Sequence, residues 1–205
     1  GVLGAGEVVA VGREQFSILL DEVIVSETPE TELVLVQALA KGDRDERAVE
    51  QATEFGVDRI LPWQAMRSVS RWDGTGSADK RAKGILKWSR IAREAAKQSM
   101  RAYIPPVGAP VTLAEMCKTA AANDTDVVVL HPRGGMRLSE WSAKNARRSS
   151  SLMLVVGPEG GFDDSELDAL ETAGAHILVL GETVLRTSSA GPAALAVLNA
   201  CLGRW

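Results

Sequence analysis

The chain has 205 residues, 45% of them hydrophobic and 24% charged, with a formal net charge of −4. That composition suits a soluble domain with a sizeable core, and no apolar run approaches the length of a membrane span. Two cysteines, Cys117 and Cys201, lack metal-site spacing, and the start of the chain has no signal-peptide pattern, so the expectation is buried free thiols in a reducing, cytoplasmic setting with no metal.

Residues 1–32 read as β-rich. GEVVAVG and FSILLDEVIV have strand composition with turn residues between them. Two or three strands are marginal alone, so they are expected to pack on something. The polar, acidic stretch Ser26–Thr31 reads as a linker. Leu33–Ala38 is then the first strand of the main domain. Asp43 and Glu46 have capping-box spacing and open a helix carrying Ala48, Ala52 and Phe55, closed by Gly56. A short strand lies within Val57–Trp63, followed by Arg67, Arg71, Trp72 and a flexible glycine loop at Asp73–Ser77.

The next helix, about Ala78 to Met100, carries Lys83, Lys87, Arg90, Lys97 and Arg101 at steps that place them on one face, opposite Ile85, Trp88, Ala92 and Ala95. Residues 1–58 hold 4 basic and 13 acidic side chains, whereas residues 59–101 hold 11 basic and 3 acidic. A basic block in an acidic chain is a local footprint for RNA backbone, with an ordinary solvated helix face as the plain alternative.

An extended connector, Ile104–Pro110, leads to Thr112 and Glu115, another capping box, and a helix through Ala122. Asp126–Leu130 is a strand ending at His131-Pro132-Arg133-Gly134-Gly135, and residues 138–148 have helical character. Leu152–Val156 and His176–Leu180 are buried strands, each ending at a glycine, Gly157 and Gly181. Between them Asp163 and Glu166 have capping-box spacing, and Gly174 closes a helix carrying Leu167 and Leu170. This is a β-α-β unit of an α/β fold, and ligands of such sheets bind beyond the carboxyl ends of the strands. One glycine loop signals only a tight turn. Two at corresponding strand ends point to a nucleotide-like ligand read by free backbone groups. The last helix spans about Thr187 to Leu202, with a small apolar face suited to close packing. No P-loop, dinucleotide fingerprint or nucleophile elbow is present.

GPEGGF followed by LGETVLRTSSA resembles the paired signature of the RsmE-type ribosomal RNA methyltransferases of the SPOUT superfamily. The resemblance runs from about Leu33 to the C-terminus and includes GVDRILPWQAMRSV and REAAKQSMR. It implies a parallel sheet with a deep trefoil knot over about 128–205, within a methyltransferase domain at 30–205. It also implies that residues 1–29 are a partial PUA-like RNA-binding region. A homodimer, S-adenosylmethionine (SAM) held in the knot, and methyl transfer to N3 of a uridine in 16S ribosomal RNA of the small subunit complete what it implies. The implied cofactor site comprises Leu130, His131, Gly157, Pro158, Glu159, Gly160, Gly161, Leu180, Gly181, Val184, Leu185 and Arg186. The backbone around Leu180 to Leu185 would read adenine, and Glu159 would either face the sulfonium or cap loop amides. His131 reads either as a catalytic group or as a strand-end hydrogen-bonding residue. Arg67 and Arg71 join the basic helix residues Lys83, Lys87, Arg90, Lys97 and Arg101 as the RNA-facing set.

Uridine N3 is a weak nucleophile until it loses its proton, so a cation or a base must favour the anion. Arg186, the only Lys or Arg between Arg148 and Arg204, is the candidate, with a structural or dimer salt bridge as its alternative. Many relatives carry glutamate where this chain has Ser188, so any base those relatives use there is missing here. A ribose 2′-hydroxyl methyltransferase and a non-catalytic RNA-binding assembly factor are the competing readings.

Overall fold

The computed structural model describes residues 1–73, 76–122 and 124–205. The centre of the glycine loop at Asp73–Ser77 lies outside the described residues. Two sheets are formed. The first is the antiparallel hairpin of β1 (Val2–Val11) and β2 (Phe16–Val25), turned through Gly12, whose N–H donates to the Gln15 carbonyl at 2.7 Å. Neither strand has a buried residue. The segment touches the Ala102–Tyr103 backbone at Gly1, but its strands bury nothing there, and their Val, Leu, Ile and Phe side chains stay exposed on both faces.

The second sheet is parallel, in the order β4 (Arg59–Trp63), β3 (Glu32–Ala38), β7 (Ser151–Val156), β5 (Thr125–Leu130), β8 (His176–Val179), β6 (Met136–Arg137). Its strands are near-continuous apolar runs because both faces are covered. Leu33 and Leu35 enter one core with Trp88, Leu138, Leu154 and Leu195, while Val34 and Val36 enter the other with Trp63, Met116, Val155 and Leu167. The helices are α1 (Arg44–Glu54), α2 (Ser77–Gln98), α3 (Leu113–Ala121), α4 (Leu138–Asn145), α5 (Asp164–Thr172) and α6 (Thr187–Leu202). The first core takes α1, α2, α4 and α6, and the second takes α3 and α5. The connector after α2 runs beside β4 and bridges Ile60 to Val107 and Trp63 to Val111, which protects that edge.

One expectation changes, and two features lie beyond what the sequence showed. The strands β7 and β8 are joined through α5 as expected, yet β5 lies between them in the sheet. The two-residue strand β6 is too short to leave a sequence pattern. The capping boxes at Thr112/Glu115 and Asp163/Glu166 form, but the one at Asp43/Glu46 does not. Asp43 pairs instead with Arg47, and Glu46 is drawn to Lys87 at 2.5 Å. Asp45 takes the amides of Ala40 and Glu46, with its carboxyl pushed above the ordinary range mainly by burial.

Candidate functional site

Beyond the carboxyl ends of β3, β5 and β7 lies a cleft of about 570 Å³. Its floor is the GPEGG loop. Val156, the last residue of β7, accepts the indole N–H of Trp63 at 3.1 Å, and the chain then turns through Gly157 to Gly161, whose N–H donates to the Pro158 carbonyl at 2.9 Å. The amides of Glu159 and Gly160 have no protein acceptor among the described residues. Phe162 closes the turn, buried against Trp63 at 5.6 Å between ring centroids. Arg67 leans over the loop at Gly160, where an added Cβ would meet the Arg67 carbonyl at 3.1 Å.

The opposite wall is Val184, Leu185, Arg186 and Thr187, at the start of α6. Thr187 fixes the two walls together. Its hydroxyl donates to the Gly157 carbonyl at 2.7 Å and accepts from Gln37 Nε2 at 2.9 Å. Arg186 is exposed, and its guanidinium has no ion pair or hydrogen bond among the described residues, so the internal salt bridge offered as its alternative is not formed. The third side is the end of β5, Leu130, His131 and Pro132.

Ten of the twelve candidate cofactor residues line this one cleft. Leu180 and Gly181 do not: Leu180 packs on the first core and Gly181 is exposed. Glu159 takes the bland course. Its Oε1 accepts the Lys41 amide at 2.9 Å and lies 3.3 Å from Arg44, so the carboxylate is held by these two groups. That contact brings Arg44 to the rim, a residue sequence reasoning missed. The signal was present in the Lys41-Gly42 turn at the end of β3, the strand next to β7. Ser188 is not among the residues lining the cleft.

The basic candidates do not form one free stripe. Lys87 is bound to Glu46, which holds its ammonium above the ordinary range through that hydrogen bond. Lys97 pairs with Glu94 at 3.0 Å, and Arg101 lies beyond α2 with its guanidinium on the Thr53 carbonyl at 2.8 Å. Burial pushes the Arg101 group below its ordinary range. Arg90 sits in a groove with Glu46, Glu50, Glu54 and Glu94. Arg67 pairs with Asp163 at 3.1 Å, and Arg71 with Asp73 at 3.5 Å. Arg71 and Lys83 share a second, smaller cleft with Trp72 and Lys80, beside the β3–α1 turn.

A sequence model of the RNA methyltransferase domain matches residues 26–199. The chain belongs to the RNA methyltransferase domain family. Among this family's members, the ribosomal RNA small subunit methyltransferase E of Mycobacterium tuberculosis (strain CDC 1551 / Oshkosh) is 44% identical over 176 residues, covering 84% of this chain and 64% of that protein. Its counterpart in Bacillus subtilis (strain 168) is 32% identical over 168 residues, covering 80% and 64%. The chain thus spans less than two thirds of the length of these relatives. A Legionella pneumophila protein solved with the cofactor SAM bound superposes with a TM-score of 0.82 at 28% identity, over 97% of this chain and 78% of that one.

Proposed function

We propose that this chain is a SAM-dependent methyltransferase acting on N3 of a uridine in 16S ribosomal RNA of the small subunit. The observation that carries it is the cleft in which the GPEGG loop faces the unpaired Arg186. Its size falls within the few hundred to one thousand Å³ usual for small-molecule sites. Its surface also fits the cofactor. Leu130, Val156, Val184, Leu185 and Ala190 offer apolar contact to a purine, and the free amides of Glu159 and Gly160, with Arg44, offer donors to a carboxylate.

When bound, SAM supplies a methyl group on a sulfonium, so that the N3 electron pair forms the new C–N bond while the C–S pair leaves to sulfur. The protein's task is to orient the reactants and to favour loss of the N3 proton to solvent. Arg186, at the entrance to α6, stabilises the resulting negative charge. The Thr187 link between α6 and Gly157 ties the backbone that carries Arg186 to the GPEGG wall. No carboxylate is required at Ser188 on this reading, because the cation lowers the cost of the anion.

In the same reading residues 30–205 form a SPOUT methyltransferase domain knotted over about 128–205, working as a cytoplasmic homodimer. The sheet order supports the knot: β7 inserts between β3 and β5, β8 passes to the far side, and α6 returns to pack against α1, β3 and β7. Residues 1–29 are a PUA-like RNA-binding segment, supported by their separate β-ribbon. Arg67, Arg71 and Lys83 contact RNA. No helix among the described residues is long and apolar enough to cross a membrane.

The test is methyl transfer from labelled SAM to small subunits lacking the modification, followed by digestion to nucleosides. Label is expected in 3-methyluridine, and Arg186→Ala should slow transfer by about 10²-fold or more with SAM binding retained. Label in a 2′-O-methylated nucleoside would overturn the acceptor. A SAM-binding protein that binds RNA without transfer would make it an assembly factor.

A further inference from the structure

The cleft holds four side chains able to donate a hydrogen bond: Arg44, His131, Arg186 and Thr187. Two already have a place on this reading, Arg44 between Glu159 and the cofactor's carboxylate, and the Thr187 hydroxyl on the Gly157 carbonyl. Arg186 and His131 remain. The His131 ring is fixed on its other edge. Its Nδ1 accepts the Arg133 amide N–H at 3.2 Å, which requires that nitrogen to be unprotonated and leaves the proton on Nε2. The turn that presents that amide is itself anchored, because Arg133 bridges to Asp168 at 2.7 Å and Glu171 at 2.5 Å on α5. Phe162 meets the imidazole edge-on, with centroids 5.9 Å apart and planes at 88°. Nε2 has no protein partner among the described residues and is not a sealed polar atom, and His131 is one of the residues that line the cleft.

The surroundings of the ring favour its neutral form. Burial is the largest influence and lowers its pKa, and Arg133 and Arg67 add to this, against an opposing contribution from Asp164. Arg44 and Arg186 stand in the same cleft. A neutral imidazole whose acceptor nitrogen is already occupied is poorly suited to take a proton and well suited to give a hydrogen bond.

Loss of the N3 proton from uracil spreads negative charge onto two carbonyl oxygens, one on each side of N3. The two uncommitted donors match those two oxygens. We infer that His131 is a catalytic residue that donates its Nε2–H to one uracil carbonyl oxygen while Arg186 serves the other. The proton leaves N3 to solvent, the N3 pair takes the methyl carbon, and the sulfur departs as a neutral thioether, so His131 neither gains nor loses a proton over the reaction. This assignment rests on the proposed uridine chemistry and adds to it how the cleft holds the base.

The experiment compares the wild-type chain with His131→Leu, which removes the donor, and His131→Gln, which restores an N–H near the Nε2 position. Single-turnover transfer to unmodified small subunits is measured across pH, and SAM affinity is measured by calorimetry. His131→Leu is expected to slow transfer by about 10²-fold, as for loss of one oxyanion donor. SAM affinity should stay within about 3-fold, which also reports that the variant is folded. His131→Gln should recover most of the rate, and the three rate–pH profiles should run parallel. A SAM affinity that falls with the rate would make His131 a cofactor ligand and overturn the inference. So would a glutamine variant as slow as the leucine one, or an acid limb present in the wild type and absent in His131→Leu, which would mark a base. If the wild-type chain itself forms no 3-methyluridine, the uridine reading fails and this one with it. Failure of His131 alone leaves wild-type transfer intact.

Discussion

Thr187 stands at the joint between the two walls of the cleft, 6% exposed, with one hydroxyl serving two partners. Thr187→Val keeps its shape and removes the oxygen. The Gly157 carbonyl then loses its donor and the buried Gln37 amide keeps only the Ala38 carbonyl. The expected cost is about 1–3 kcal/mol in chemical unfolding, the range for stranding buried polar groups. SAM affinity should also fall by about tenfold in calorimetry, equivalent to about 1.4 kcal/mol. At this scale the sequence was legible where residue type decides the outcome. GPEGG has little side chain to put in the way, so it reads as a ligand loop, and ten of the twelve candidate cofactor residues, its own five included, line one cleft. It was illegible where a side chain chooses among neighbours brought from afar. Glu159 accepts an amide 118 positions away, and nothing near it in sequence announces that choice.

On the scale of elements, α2 illustrates a conflict between local preference and packing. Gly84 sits inside this helix, where alanine would ordinarily stabilise by about 1 kcal/mol. Here an added Cβ would lie 2.3 Å from Cζ2 of Trp72, whose ring rests on the helix and meets Trp88 at 5.5 Å. Gly84→Ala should therefore destabilise the protein, by about 1–3 kcal/mol of overpacking, with a lowered Tm and altered tryptophan fluorescence. The helices themselves were readable from apolar spacing. Their caps were readable only when local groups had no better offer: Glu115 and Glu166 reach back to their own N-caps, whereas Glu46 finds Lys87 on the next helix.

For the molecule as a whole, the uneven charge along the chain is folded back on itself. The acidic row of α1 faces the basic row of α2, so the block at 59–101 presents less free charge than its composition suggests. Arg71, Lys80 and Lys83 gather in the smaller cleft beside the β3–α1 turn, with Arg71 only loosely paired to Asp73 at 3.5 Å. Arg71→Glu with Lys83→Glu is expected to weaken binding to a 16S RNA fragment and to flatten its dependence on log salt by about 1.5, as for two lost phosphate contacts. Lys87→Glu should have the smaller effect on that slope, since its charge is already matched by Glu46. Fluorescence anisotropy against KCl concentration measures both. The parallel α/β class was open to sequence reasoning because alternating strands and helices dictate it. The strand order was not, because only long-range packing decides that β5 separates β7 from β8.

That strand order also sets a timetable for synthesis. One edge of β3 finds β4 within about 25 positions, but its other edge waits for β7, 119 positions further on. At ribosomal rates of about 5–20 residues per second, roughly 6 to 24 s separate the synthesis of β3 from that of β7. Throughout that interval the nascent chain displays the backbone edge of Leu33, Val34, Leu35 and Val36 without its neighbour. Protection of that unfinished edge from pairing with the wrong strand is thus a demand on synthesis that the finished core does not show.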